Sequence, residues 1–162
     1  MPETYSVYII FESANRYEYR FEARNSIIYS IRFERANHLF DELCISCFDV
    51  FEVSFAPNTP EKQDFDAKIS NTLSLAIFRF VEVMSSAVVF ICDSLDNRHQ
   101  CRHKLFKRWF IRFNDNGRLL FDERTFEFED FTIQAGLVGQ IDDKFFYGYF
   151  EKIDSALLNE NK

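Results

Sequence analysis

Residues 16–23, RYEYRFEA, set Arg16, Glu18, Arg20 and Glu22 in strict alternation with Tyr17, Tyr19, Phe21 and Ala23. Successive side chains of an extended chain point to opposite faces, so a period of two predicts a strand with one face in a core and one in water. The pattern continues on both sides. Tyr5, Val7, Ile9 and Phe11 alternate before it, Ile27, Tyr29, Ile31 and Phe33 after it, and Phe48 to Phe55 reads as a fourth strand. Ser13-Ala14-Asn15 and Arg24-Asn25 are short enough to join neighbours antiparallel. This predicts an N-terminal meander forming a curved sheet, and a sheet with one apolar face needs a cover.

The cover is expected from about Pro60 to Ser85, where Phe65, Ile69, Leu73, Ala76, Ile77, Phe80 and Met84 fall on one helical stripe. Thr59 followed by Pro60 is a helix-start signal, because proline at the first helical position loses an N–H that would have no partner anyway. Such a helix would be roughly 39 Å long. Ala87 to Cys92, AVVFIC, is too short for a helix and too uniformly apolar for a half-exposed strand, which places it inside the sheet. A basic helix follows. Beyond the turn at Asn116-Gly117, strands are expected near Leu119 to Phe128 and Phe131 to Val138. A closing helix from Asp143 to Leu158, capped by Asp142, would bury Phe146, Tyr149, Phe150, Ile153 and Leu157. With no repeat, linker or low-complexity segment, residues 1–162 read as one α+β domain.

Arg98 to Arg112, RHQCRHKLFKRWFIR, gathers six of the 19 basic residues and two of the three histidines of a chain whose formal net charge is −7. Wound at about 100° per residue, it turns Cys101, Leu105, Phe106, Trp109, Phe110 and Phe113 to one side, and His103, Lys104, Lys107 and Arg108 to the other. Arg98 and Arg102 project into the arc of Leu105 and Trp109. A buried arginine needs a partner. Two arrangements satisfy it: ion pairs with Asp93 or Asp96, or a candidate anion site in which Arg98, Arg102, His103 and Lys104 surround the helix start. Ser94 or Asp96 is the expected N-cap.

The order of a Tyr/Phe-rich meander, a long helix, an apolar strand ending in Cys92-Asp93 and then RHKLFKRWF, Arg102 to Phe110, resembles an uncharacterised domain-of-unknown-function family of Bacteroidota proteins. The resemblance covers most of the chain and is specific around the basic helix. It implies no activity, so no site residue carries over; it draws attention to Arg102, His103, Lys104, Phe106 and Trp109.

Composition narrows the function classes. With 47% hydrophobic and 28% charged residues, the chain suits a globular core, and its 21 phenylalanines recur mostly at strand or helix periods, as core residues do. An acidic balance argues against general DNA binding, which needs basic residues spread over a face. No basic segment precedes the first apolar run and no apolar stretch reaches a membrane span, so a cytoplasmic, non-membrane protein with reduced thiols is expected. Cys44 and Cys47 have knuckle spacing, but no second pair matches; only His99, Cys101 and His103 remain as partners, and no metal is expected. Four glycines form neither a phosphate loop nor a dinucleotide fingerprint, so no cofactor is expected. The carboxylates of FDERTFEFED, Glu123, Glu127, Glu129 and Asp130, read as a solvated strand face.

Three classes follow, in order. The first is a non-enzymatic binding or accessory domain acting on a protein partner or as a homo-oligomer. The second binds a phosphate-bearing ligand, nucleotide or RNA end at the basic helix. The third is an enzyme built on Asp93, Ser94 and His103.

Overall fold

The computed structural model describes residues 3–36, 49–60, 66–93, 99–114, 117–143 and 146, with the side chains of residue 25 and of residues 92, 93 and 99–102 outside the description. Seven strands and two helices follow in the order β1 (Tyr8–Glu12), β2 (Arg16–Glu22), β3 (Ile28–Arg35), β4 (Val50–Pro57), α1 (Ala67–Met84), β5 (Ala87–Asp93), α2 (His99–Phe113), β6 (Leu119–Glu127) and β7 (Thr132–Gln140). The strands form one open sheet ordered β1-β2-β3-β4-β5-β7-β6. Each neighbouring pair is antiparallel except β4 and β5. This is the α+β, mostly antiparallel arrangement that the alternation at residues 16–23 predicts.

The register explains which side chains are inside. Tyr17, Tyr19 and Phe21 stand opposite Phe33, Ile31 and Tyr29, and β3 hands the same face on to Phe55, Val53 and Phe51 of β4. Ile69, Leu73, Ile77, Phe80 and Val81 of α1 close over these rings in one buried cluster. Phe80 stacks on Phe33 at 3.9 Å between centroids and meets Phe51 and Tyr17 edge-on at 5.1 and 5.4 Å. Aromatic pairs in these geometries each contribute about 0.5–1.5 kcal/mol beyond area burial. On the opposite face, Val50, Ala87, Val89, Phe126, Ala135, Leu137 and Phe146 form a second cluster. Further along that face Glu18 is drawn in by Arg32 at 3.1 Å and Arg20 at 4.0 Å, so the wet side of β2 carries a small ion network.

Two expectations need correction. The covering helix begins at Ala67, not at Pro60: Asp66 is its N-cap, the side chain accepting from the Ile69 N–H at 2.7 Å. That cap satisfies an orphan donor that a Thr59 start would have left seven residues away. Eighteen residues make α1 about 27 Å long. The simple alternation of the first strand also fails, because Ile10 is an extra residue in a β-bulge between Ile9 and Phe11. Ile9 therefore faces α1 with Tyr19, whereas Phe11 lies on the other face beneath the Arg16 guanidinium, 4.3 Å from its ring centre. The connection after β2 is a short 3-10 turn, Arg24–Ser26, with Ser26 at φ 60°. Of the expected closing helix, only Asp143 and Phe146 are within the described residues; both are buried.

Candidate functional site

Strand β4 pairs with β5 only through Val50–Glu52 and Ala87–Val89. Beyond these residues the two strands continue without pairing each other, and α2 lies over the opening. Phe106 stacks on Phe90 at 4.1 Å, meets Phe55 at 5.6 Å and touches Trp109 at 5.3 Å; Trp109 reaches Phe55 at 6.0 Å and is 4% exposed. The apolar half of the basic helix is a plug in the sheet, as its stripe predicts.

The polar half is not wholly solvated. His103 is 8% exposed and turns towards the edge strand β6, its Nε2 2.6 Å from Glu123 Oε2, while Lys107 Nζ donates to Glu123 Oε1 at 2.8 Å. This corrects the expectation that His103 points to water; Glu123 is exposed, as a solvated strand face requires, yet both its oxygens are engaged. The reason is geometric. His103 and Lys107 are four residues apart on one flank of α2, and Glu123 shares the face of β6 that also carries Phe121, which packs with Phe110 and Phe90. A single carboxylate therefore bridges two helix positions. The Lys107 hydrogen bond, reinforced by His103 and opposed by partial burial, holds Glu123 below the ordinary carboxylate value. His103 Nε2 faces the Glu123 carboxylate, and the opposite ring nitrogen, Nδ1, is buried without a hydrogen-bond partner among the described residues.

His103, Lys104 and Lys107 of α2, Glu123, Arg124 and Thr125 of β6, and Gln134 of β7 line a recess of about 470 Å³. Both oxygens of the only carboxylate in that lining are engaged. The lining carries three cations, Lys104, Lys107 and Arg124, against that one carboxylate, which Lys107 already pairs. The carboxylate–imidazole contact ties α2 to β6, with the other ring nitrogen buried.

Of the other predicted site residues, Arg98, Ser94 and Asp96 lie outside the described residues, as do the side chains of Asp93, Arg102, His99, Cys92 and Cys101. Cys44 and Cys47 also lie outside them. Among the described residues no three His, Cys, Asp or Glu side chains converge as a metal site requires, and no helix is long and apolar enough to cross a membrane.

The second surface lies at the far edge. Val7, Tyr8, Ile9, Ile10 and Phe11 are 39–49% exposed, and among the described residues β1 pairs on one side only, with β2. Beside it, an apolar groove of about 540 Å³ runs between β1 and α1, walled by Tyr5, Ile9, Tyr19, Leu75, Val83 and Met84. Tyr5 fixes the end of this groove, its N–H donating to Thr72 Oγ1 at 2.8 Å and its hydroxyl to Asp66 at 3.3 Å. Sequence reasoning missed this surface because alternating apolar residues look alike whether or not anything covers them.

No curated protein matches the chain. Among solved structures, a CoA-dependent acyl-homoserine lactone synthase, MesI, is similar over 94% of this chain and 72% of its own, at 14% identity and a TM-score of 0.40. The model of a family of unknown function, DUF6169, matches residues 65–155, from just before α1 to beyond β7, and by that span of more than half its length the chain belongs to this family.

Proposed function

We propose that the protein is a binding or accessory domain that captures an extended segment of a protein partner along the free edge of β1. The observation that carries this reading is the run of five uncharged, exposed residues from Val7 to Phe11 on an edge strand. Edge strands that stay unpaired are usually guarded by lysine, proline or inward charge, since their N–H and C=O groups otherwise template a new strand. Among the described residues the guard on this stretch is the bulge at Ile10, with Glu12 at its end and the Arg16 guanidinium over Phe11. Main-chain bonds would give affinity, and the adjoining groove would select apolar side chains from the incoming strand. Fluorescence anisotropy with a panel of eight-residue extended peptides, alternating apolar and polar positions, tests it. Saturable binding that Ile9→Lys abolishes is the expected result, and equal binding to parent and variant refutes it. A reducing cytoplasm is the compartment that suits the reading.

A second reading rests on the recess beside α2. Lys104 and Lys107 there suit a phosphate-bearing ligand, such as a nucleotide or an RNA end. Titration with inorganic phosphate, AMP and a 5′-phosphorylated dinucleotide tests it, with heat that Lys104→Ala/Lys107→Ala removes as the supporting result. No heat with any of the three probes refutes it.

A further inference from the structure

We infer that the strand received by β1 is β1 of a second copy, paired antiparallel about a two-fold axis near Tyr8 and Ile9; this rests on the reading of β1 as a strand acceptor. Two-fold dimers are the commonest assemblies because one patch serves both partners, which requires that patch to be self-complementary. The edge meets that requirement. From Val7 to Phe11 it carries no charge, so an antiparallel copy brings no like charges together along its middle.

On the face covered by α1 the two ends carry Lys68 and Glu12. Near the start of β1, the Lys68 ammonium lies 4.5 Å from the Tyr5 ring centre. At the far end Glu12 stands opposite Tyr17 on β2, on the same face. Two other acids sit near the Lys68 end: Asp66 is engaged as the α1 cap and by the Tyr5 hydroxyl, while Glu3, whose backbone carbonyl accepts from Asn71, adds a carboxylate there, so the attraction argued here is the local one between Lys68 and Glu12. Antiparallel pairing about Tyr8 and Ile9 carries Glu12 of each copy towards Tyr5 and Lys68 of the other, whereas parallel pairing sets Glu12 beside Glu12. The five edge side chains, each 39–49% exposed, and the Leu75, Val83 and Met84 wall of the groove supply the apolar surface that such a pairing would cover in part. Val83, on the helix beside the groove, is 79% exposed.

Sedimentation velocity from about 1 to 100 μM tests the inference on the full chain, with far-UV circular dichroism to show that each variant is folded. The parent is expected to dimerise and Ile9→Lys to sediment as a monomer. Glu12→Lys or Lys68→Glu alone should weaken the dimer about tenfold, each replacing an attraction by a repulsion twice per dimer, and the double exchange should restore it. A parent that stays monomeric at 100 μM, or a dimer indifferent to Ile9→Lys, overturns the inference. If that monomeric parent still binds extended peptides at β1, partner capture stands and only self-pairing fails; if it binds none, both fail. Single charge variants that dimerise like the parent overturn the antiparallel register.

Discussion

Replacing Gly136 by alanine should destabilise the protein, although most of the neighbouring core is made of much larger side chains. Gly136 lies opposite Phe90 in the β5–β7 ladder. A Cβ at this position would stand 2.6 Å from Phe90 Cε1, 2.5 Å from Cε2 and closer still to Cζ. Carbon atoms in good contact sit about 3.5–4.0 Å apart, so the ring would have to retreat by roughly 1 Å or more. It is boxed in: Phe106 stacks on it at 4.1 Å, and His103 and Phe121 flank it at 5.9 and 6.2 Å. Overpacking of this kind costs about 1–3 kcal/mol, and the confinement of the ring puts Gly136→Ala at the upper end. The opposing gain from a stiffer unfolded chain is only about 0.4–1 kcal/mol. Urea unfolding followed by fluorescence of Trp109, the single tryptophan, measures the difference. The decisive comparison is the same change in a Phe90→Ala background, itself costly at about 3–5 kcal/mol. With the ring gone, Gly136→Ala should be neutral or slightly stabilising, giving a coupling of about 1–3 kcal/mol between the two positions. Equal effects in the two backgrounds would refute the close approach as the reason for this glycine.

Trp109→Ala should cost about 3–5 kcal/mol, because it empties the plug between β4 and β5; a variant that unfolds at the parent's urea midpoint, followed by far-UV circular dichroism because the fluorescent probe is gone, would show the ring to be dispensable. Asp66→Ala should cost about 1 kcal/mol through loss of the α1 cap, while Asp66→Asn should retain most of it, as read by the same unfolding curves. Glu123→Gln has a pH signature. The folded carboxyl titrates below its ordinary 4.5, so its stabilisation is present above that value and is lost as pH falls through the lower folded value. The variant should therefore be less stable than the parent at pH 7, by under about 1 kcal/mol given the exposure of this carboxylate, and the two should converge in acid; a constant gap from pH 7 to pH 3 would contradict the assignment.

The parts of the fold that the sequence makes legible are those whose burial is decided locally. Tyr17, Tyr19 and Phe21 alternate with charges, and Ile69, Leu73, Ile77 and Phe80 recur at helical spacing, so each element announces its own buried side. The edges are different. In β6, Phe121 shares a face with Glu123 and Thr125, while Leu120 and Phe126 share the other with Asp122 and Arg124, and neither face is purely apolar. Both are partly covered, one by α2 and the other where Phe126 joins the cluster with Phe146. A period of two carries no sign of burial under those conditions, and the carboxylate that holds His103 and Lys107 is one exposed acid among several, unmarked by the pattern. The helical wheel failed at His103 for a related reason. It gives the direction of the buried arc of α2 but not its width, which depends on β6 lying alongside, more than a dozen residues later in the chain. At the other edge the error runs the opposite way: Val7, Ile9 and Phe11 have the alternation of a buried strand, yet among the described residues nothing lies over β1 on its outer side. Burial predicted by pattern and absent from the fold is a form of evidence in itself, since apolar side chains spaced for a partner strand, and left without one, are what an intermolecular strand contact requires.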